Sequence, residues 1–593
     1  MEEHFEAWFS LFILILVVVF LIWDRYKPSA VFFTAILILL ITGILSIENL
    51  LLGFSNKSII TIFLLILVTA LLSKTFGLVL YLDKIFGSAR SIRSMILRMS
   101  ASVGSVSAIM NNTPIVALMI PYVYRWSKNT NHPPSKMLIP LSFSAIVGGM
   151  MTPIGTSTNL ILIGFIISTG HPALTFGHFL LPGIIVFAVA ILFLTFASNY
   201  LLPEYRDVMD ETRKNIREYL TETKVKAGSN LIGKTIQEAE LRNLQGIFLA
   251  EIHREDKTII KPVKPEEKIL EGDRLYFAGD TQGVVKLVKE NQNLDWNKFR
   301  QFEEGYEPDL VEVVVPFNSG LSGKTLKKSL FRETYDAAVI GIHRKGAKLD
   351  GKLGEIPLMP GDLLLLTTGP EFERLSSKNQ DFYTVSVIED QEKIPKWKKI
   401  SLSVVTIASI GLVFMGLIEL FIALITIFTG GLILNLLSEE ETKKNLSLDL
   451  FVILGSALTL GMVFIHTGGA AIITQPLVSI LTGAPALVIL VSIFLTTLFF
   501  TSFITNAAAI SIMFPLVYQL VVDLSLNPTP VYLTLAFSAS AAFITAVSYQ
   551  TNLMVLGPGN YKATDFLKIG IPFTFVYAIV IITFVYLYYP IYA

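Results

Sequence analysis

Long apolar runs broken by short polar kernels fill residues 8–202 and 398–593, and a charged stretch separates them. A membrane-crossing helix needs about 17–25 predominantly apolar residues. On that measure the first stretch predicts spans over 8–23, 29–47 and 58–74, a Gly/Ser-rich hairpin over 94–125, an interrupted segment over 136–168 and a span over 179–202. The second predicts spans over 399–416, 418–437 and 448–466, a hairpin over 486–523, an interrupted segment over 530–557 and a last span over 569–589. Each half then has five crossings and one re-entrant hairpin. An odd number of crossings sets the second half upside down relative to the first, which is an inverted-topology repeat.

The polar kernels carry the same message. SAIMNNTPIVALMIP (107–121) and TPIGTSTNLILIG (152–164) are echoed by FITNAAAISIMFP (503–515) and TAVSYQTNLMVLG (545–557). Asn112 precedes Pro121 by nine positions, as Asn506 precedes Pro515, and Thr152 precedes Asn159 by seven, as Thr545 precedes Asn552. The fold class expected is a polytopic α-helical membrane protein with an inverted repeat, re-entrant hairpins and an α+β insert of two tandem modules.

Composition agrees, with 52% hydrophobic and 16% charged residues among 593, and a positive mean hydropathy. The net charge of zero averages two unlike regions. Cations gather on the cytoplasmic side of membrane proteins. Arg25 and Lys27 follow the first span, Lys84, Arg90, Arg93 and Arg98 precede the first hairpin, and Arg125, Lys128 and Lys136 follow it. No Lys or Arg occurs from 137 to 205 or from 445 to 561. The first hairpin is therefore expected to enter from the cytoplasm and the second from outside. The insert is expected in the cytoplasm and both termini outside, in the plasma (inner) membrane of the cell. Lys57 is the one cation out of place. The acidic start MEEHFEAWFS lacks the basic region of a secretory signal, so 8–23 reads as a retained span. The absence of cysteine excludes disulfides, thiolate metal sites and cysteine catalysis.

The division expected is membrane half 1–202, modules 203–300 and 301–397, and membrane half 398–593. The modules are a duplication: LIGKTIQEAEL (231–241), EIHRED (251–256) and LEGDRLYFAGD (270–280) return as LSGKTLKKSLF (321–331), GIHRKG (341–346) and MPGDLLLLTTG (359–369). Each predicts alternating strands, a short amphipathic helix after GKT and a Gly-Asp turn. GSNLIGKT (228–235) matches the phosphate-loop pattern. Its repeat NSGLSGKT, from Asn318, lacks the first Gly, and modules this small have no room for an ATPase core, so nucleotide hydrolysis is not expected.

In hydrocarbon a helix broken by Gly, Pro, Ser and Thr is tolerated only where it is buried in protein or lines a cavity. Such breaks offer N–H dipoles to an anion and carbonyl, amide or hydroxyl oxygens to a cation. The plainer reading of one such kernel is small-residue packing with Asn and Ser as interhelical glue; a spacing-matched pair argues for a site. No Asp or Glu lies between 94 and 165, and only Asp523 between 486 and 560. Proton coupling ordinarily uses an intramembrane carboxylate or His, so sodium is the coupling ion expected. His466, read as lying within a span, is better explained as a packing residue than a proton carrier. Glu419 reads as a solvated external turn, and SEEETKK (438–444) as a solvated cytoplasmic loop. No nucleophile, metal or carboxylate constellation supports an enzyme.

NNTP, GGMMTPIGTSTN and SYQTNLMVLGPGNYKATDFLKIGIP resemble the divalent-anion:sodium symporter family, in particular its sulfate-transporter-like branch with two TrkA-C (RCK C-terminal) modules in mid-chain. The likeness covers nearly the whole chain. In that family a Ser-Asn-Thr triplet at each hairpin tip contacts the anion, with two sodium ions beside the tips and broken helices. Carried over, this implies Ser107, Asn111, Asn112 and Gly155 for one sodium and Thr501, Asn506 and Ser548 for the other. The triplets become Asn111-Asn112-Thr113 and Thr505-Asn506-Ala507, with Thr156 and Tyr549 nearby and Asn159, Thr551 and Asn552 supporting the breaks. Ala507 lacks a hydroxyl, and Ser548-Tyr549-Gln550-Thr551 replaces the proline-rich turn of dicarboxylate carriers, which favours a compact oxyanion. The resemblance also implies a homodimer and an elevator-like motion.

The function expected is sodium-coupled import of a divalent oxyanion, sulfate first, regulated by the modules. Sodium is the coupling ion, no cofactor is tightly bound, nucleic acid is not a partner, and a small regulatory ligand of the modules stays unidentified. A dicarboxylate or arsenite-type carrier is the rival. A ligand-gated channel is disfavoured, because no TVGYG-like filter is present.

Overall fold

The computed structural model describes residues 2–592 apart from 24–25, 77–88, 90, 206–219, most of 280–309, 385–393 and shorter stretches, chiefly between 242 and 380 and between 440 and 447. Arg25, Lys84, Arg90 and Asn318 lie outside the described residues.

Helices fill both apolar halves. The first holds Glu2–Trp23, Pro28–Ile41, Ile47–Phe54, Lys57–Phe76, Ile92–Ser107, Asn112–Thr130, Leu138–Met150, Ser157–Ser168 and Phe176–Leu201. The second holds Lys396–Phe414, Leu420–Ile433, Leu448–His466, Gly469–Leu481, Ala486–Phe503, Asn506–Asp523, Pro528–Ala539, Gln550–Leu556 and Ala563–Tyr588. Among the described residues, six helical stretches are long and apolar enough to cross a bilayer, and the pair Phe451–His466 and Gly469–Leu481, bent by 63°, would add a seventh. The molecule is a polytopic helical membrane protein with a mixed α/β insert.

Three sequence expectations about the helices need correction, and one exception finds its reason. The span placed over 29–47 ends at Ile41, because the chain turns at Gly43 (φ +76°) and restarts at Ile47 on a Ser46 cap. Nothing was predicted between 466 and 486, yet helix Gly469–Leu481 lies there; at 13 residues it is too short for a span-length criterion to find. His466 ends its helix and is exposed, so it is not a buried packing residue. Lys57 breaks the charge pattern because it is one half of an ion pair with Glu419, across the two halves of the chain.

In a bilayer, apolar burial drives helix association weakly; close backbone approach and interhelical hydrogen bonds do more. Every residue of Leu138–Met150 is buried, as is every residue from Pro530 to Ala539. Helices apolar all round belong at the centre, and here they are the ones that lead into the two breaks. Gly148 lies on the backbone of Gly104, so Leu138–Met150 and Ile92–Ser107 touch where any side chain would separate them. Contacts between the halves come in matched pairs. Pro28–Ile41 packs on Leu448–His466 as Leu420–Ile433 packs on Lys57–Phe76, and the two 26-residue helices Phe176–Leu201 and Ala563–Tyr588 pack on each other. Their outer faces leave Leu192, Phe196, Phe575 and Ile579 exposed, as a lipid-facing surface requires. At one end of Phe176–Leu201, buried Lys136 donates to the carbonyls of Asn199 and Leu202 at 2.7 Å each, a cation on a helix C-terminus.

The insert contains two five-stranded antiparallel sheets of one topology. Strands β1 (Leu220–Val225), β2 (Ile247–His253), β3 (Ile259–Ile260), β4 (Arg274–Gly279) and β5 (Leu294–Asp295) are ordered β3-β2-β4-β1-β5. Strands β6 (Leu310–Val314), β7 (Ala337–Arg344), β8 (Ala347–Lys348), β9 (Leu363–Thr368) and β10 (Tyr383–Thr384) repeat it as β8-β7-β9-β6-β10. Both Gly-Asp turns close the same way: Asp273 accepts from Leu270 N and Asp362 from Met359 N, each at 2.8 Å. Arg344 grips Asp362 through two bonds of 2.8 and 2.7 Å, which raises the Arg344 pKa. The sheets meet over Leu220, Ala250 and Ala278 against Leu310, Ile340 and Leu365, and Thr367 donates to buried Glu251 at 2.6 Å across that seam.

The amphipathic helix expected after each GKT is absent. Thr235–Glu240 forms turns closed by Thr235 and Glu238, and in the second module only the five-residue helix Phe331–Tyr335 appears, after Leu330 at φ +47°. A phosphate loop needs a parallel strand followed by a helix N-terminus. Antiparallel pairing and a turn remove that reading of GSNLIGKT.

Candidate functional site

Two helical hairpins, Ile92–Ser107 with Asn112–Thr130 and Ala486–Phe503 with Asn506–Asp523, place their tips against the two helix breaks. The breaks run 151–156 and 540–549, where Pro153, Gly155 and a run of small or hydroxylated residues leave backbone groups for side chains to satisfy.

One hydrogen-bond skeleton occurs at both tips. Ser107 Oγ donates to Asn112 Oδ1, five residues on, and to the carbonyl of Ala145, 38 residues on, at 2.8 Å. Thr501 Oγ1 donates to Asn506 Oδ1, again five on, at 2.9 Å and to the carbonyl of Ala539, again 38 on, at 2.6 Å. Thr152 Oγ1 donates to the Ala108 carbonyl as Thr545 Oγ1 donates to that of Ser502. Asn159 Nδ2 donates to the Thr152 carbonyl at 3.0 Å, and Asn552 Nδ2 to the Thr545 carbonyl at 3.3 Å. Each of the Ser107 and Thr501 hydroxyls has one proton and faces both an asparagine amide and a backbone carbonyl, so it ties the asparagine side chain to the helix that leads into the break.

The fillings differ. At the first tip Asn112 Nδ2 donates to the Tyr549 hydroxyl at 2.9 Å, with the Thr156 side chain beside the same hydroxyl. Thr113 Oγ1 donates to Gln550 Oε1 at 3.1 Å. At the second tip Asn506 is 5% exposed, and its Nδ2 has no hydrogen-bond acceptor among the described residues. Oxygens crowd the first tip: a Cβ on Gly155 would lie 2.6 Å from the Ser107 carbonyl and hard against that of Gly149, and one on Gly149 would lie 2.6 Å from Asn112 Oδ1. Backbone carbonyls and amide oxygens are donor types that a hard cation takes. At the second tip buried Ser548 stands in the place of Gly155 and donates to the Thr545 carbonyl at 2.9 Å.

Other predicted residues take humbler positions. Asn111 is exposed and caps its helix by accepting from Thr113 N at 3.3 Å; Thr505 caps the other hairpin by accepting from Ala508 N at 3.4 Å. Ala507 packs against the hydrophobic core. Thr551 and Asn552 meet Ser142 of the first half, whose hydroxyl lies 2.8 Å from Thr551 Oγ1 and donates to Asn552 Oδ1 at 2.6 Å. Ser142, Gly149 and Gln550 were not singled out from sequence, and neither were the carbonyls of Ala145 and Ala539. No side-chain pattern in the sequence marks those carbonyls; the equal offset of 38 emerges from the hydrogen bonds themselves. Among the described residues no three His, Asp or Glu side chains gather into a metal-binding cluster.

The second break also meets the insert. The turn at Gly361 (φ +85°) lies on the helix Gln550–Leu556, where a Cβ on Gly361 would stand 3.2 Å from the Leu553 carbonyl. A Cβ on Gly557 would stand 3.0 Å from the Gly361 carbonyl and 3.1 Å from Leu363 Cβ. Val314 and Leu363 of the insert are continuous with the apolar core of the helices.

A family profile described as citrate transporter matches residues 18–434 and 412–592. A Chlamydomonas reinhardtii protein named as a sulfur deprivation response regulator is 32% identical over 94% of this chain and 97% of its own. An uncharacterized transporter of Synechocystis is 30% identical over 91% of both chains. Sodium/sulfate cotransporter 1 of Chlamydomonas reinhardtii is 23% identical over 88% of this chain and 82% of its own. With both halves matched and the alignment spanning nearly the full length, the chain belongs to the citrate transporter family, a family of the divalent-anion:sodium symporter kind.

Proposed function

We propose that this protein is a secondary transporter that takes up a divalent oxyanion, sulfate first, together with sodium. The doubled hydroxyl–amide skeleton at the two hairpin tips carries the proposal, because it presents oxygens for cations and amide N–H groups for an anion without any buried charge. Ser107, Asn112 and Gly155 hold one sodium, with Asn111 capping the tip, and Thr501, Asn506 and Ser548 hold the other. The anion takes donors from Asn506 and the helix ends nearby, with Asn112, Thr113, Thr156, Thr505 and Tyr549 around it. Moving a divalent anion inward against 100 mV costs about 4.6 kcal/mol at about 2.3 kcal/mol per charge. Two sodium ions moving with it cancel that cost, and their concentration gradient drives the cycle.

The matched packing pairs between the halves support an inverted repeat, with the first hairpin re-entering from the cytoplasm and the second from outside. Under that topology the insert is cytoplasmic, its two modules are TrkA-C-like regulators, and the Gly361 turn resting on Gln550–Leu556 is their route to the site. A homodimer working by an elevator motion completes the proposal. The names of two relatives, a sulfur deprivation response regulator and a sodium/sulfate cotransporter, support sulfate. The family description, citrate transporter, makes a carboxylate the competing substrate.

The test is labelled sulfate uptake into proteoliposomes with and without an inward sodium gradient. Sodium-dependent uptake in wild type that is lost in Asn112→Ala and in Asn506→Ala is the expected result. Uptake driven equally by a pH gradient alone, or indifferent to both substitutions, would sink the proposal. Deleting 210–380 addresses regulation separately; unchanged transport and unchanged response to cytoplasmic conditions would remove the insert's role.

A further inference from the structure

Asn112 and Asn506 occupy matched positions, each with its amide oxygen held by the hydroxyl five residues before it. The residues at the ends of the two breaks are also matched. Thr156 and Tyr549 each stand four positions after the threonine that opens its break, Thr152 or Thr545, and each precedes a helix in extended conformation (φ −136° and −145°). What differs is reach. The tyrosine hydroxyl lies a ring's length beyond Cβ and accepts from Asn112 Nδ2; the threonine hydroxyl sits one bond from Cβ, bonds Thr158 and lies beside that same tyrosine hydroxyl. The neighbour of Tyr549 does the same for the second donor of the first tip, since Gln550 Oε1 accepts from Thr113 Oγ1. The matching donor of the second tip does not exist, because Ala507 has no hydroxyl. One tip therefore has an N–H of Asn112 and the hydroxyl of Thr113 bonded to two adjacent residues of the other half. The other tip keeps one buried, unpartnered amide, Asn506 Nδ2.

We infer that Tyr549, assisted by Gln550, determines substrate class by occupying the first tip's donors, so that the site binds a single-centre oxyanion at Asn506 and rejects a two-headed dicarboxylate. The inference rests on the anion-transport reading above. Two carboxylates of one molecule need two donor sets, and a pair of matched tips would supply one to each. Here the second carboxylate would have to break the Asn112–Tyr549 and Thr113–Gln550 bonds to reach those donors, and exchanging one hydrogen bond for another returns little net energy. A tetrahedral oxyanion needs only one set. A site built to pair a polar group discriminates strongly against a ligand that leaves it unpaired or opposed.

The experiment compares labelled sulfate and labelled succinate uptake under a sodium gradient in wild type, Tyr549→Thr and Tyr549→Phe proteoliposomes. Tyr549→Thr copies the short side chain of position 156 and should raise the succinate-to-sulfate uptake ratio by about tenfold, the usual scale of one freed hydrogen-bond partner. Tyr549→Phe keeps the ring and its packing while releasing Asn112, and should change the sulfate KM severalfold with kcat nearly kept. If Tyr549→Thr does not assemble, the KM of Tyr549→Phe decides. A wild-type sulfate KM in Tyr549→Phe, together with a wild-type substrate ratio in whichever variants assemble, overturns the inference alone. Wild-type protein that carries succinate and not sulfate overturns the anion assignment beneath it.

Discussion

The two hairpin tips share a skeleton and differ in what fills it. Both pin an asparagine oxygen with a hydroxyl, both tie that hydroxyl to a carbonyl 38 residues away, and both close the break with a threonine. Yet the first is packed with glycine backbone and satisfied by Tyr549 and Gln550, while the second has Ser548, Ala507 and an amide without an acceptor. The lesson is a separation of tasks. Bonds within a half shape the tip, and residues reaching over from the other half set its chemistry.

Substitutions at matched positions test that separation. Gly155→Ala should all but abolish sodium-driven uptake, because its methyl would collide with the Ser107 and Gly149 carbonyls, and a displacement near 1 Å at such a site costs about 100-fold in rate. Ser548→Ala at the matched position removes the bond to Thr545 and one proposed sodium ligand without any collision, and should lower uptake while leaving it measurable. Comparable uptake in both variants would erase the distinction between the tips. Next, Thr152 Oγ1 serves Ala108, Ile154 and Gly155 at once, whereas Thr545 Oγ1 serves Ser502. Thermal unfolding in detergent should show Thr152→Ala costing about 2–3 kcal/mol and Thr545→Ala about 1 kcal/mol.

Gly361→Ala places a side chain in the left-handed region, a cost of about 1–2 kcal/mol, against the Leu553 carbonyl. Hydrogen exchange should quicken over 553–557 and stay unchanged over 152–155; equal quickening at both breaks would mean that the insert does not address one tip alone. The smallest effect is expected from Thr113→Val, which breaks an exposed bond worth about 0.5 kcal/mol. A double-mutant cycle with Gln550→Ala should recover that coupling, and a zero coupling would dissolve the first tip's second link to the other half.

Much of the fold was legible before the structure. The hairpin expected over 486–523 comprises helices with those outer limits, and the breaks fall where Gly, Pro, Ser and Thr interrupt apolar runs. Such signals are local, because an apolar run of sufficient length has few alternatives in a bilayer. The repeat was legible through spacing, since equal offsets in two copies survive even where side chains change. Less could be read where contacts join distant sequence. Asn112 with Tyr549 and Ser142 with Thr551 and Asn552 are over 400 positions apart and leave no local pattern. The turns after GKT escaped for the opposite reason: a local hydroxyl–carboxylate closure at Thr235 and Glu238 outweighed the helical periodicity beyond it.

The turn at Gly361 bears on the backbone of a seven-residue helix whose opposite end begins beside Tyr549. So short a helix has little slack, so displacement at Leu553 and displacement at Gln550 are nearly one coordinate. Under the proposed function, a ligand of the insert that prefers one position of that coordinate would change anion affinity by some factor. Linkage then requires the bound anion to change that ligand's affinity by the same factor. A cell reading occupancy of the insert would thereby be reading its own anion supply, with the transporter acting as gauge as well as gate.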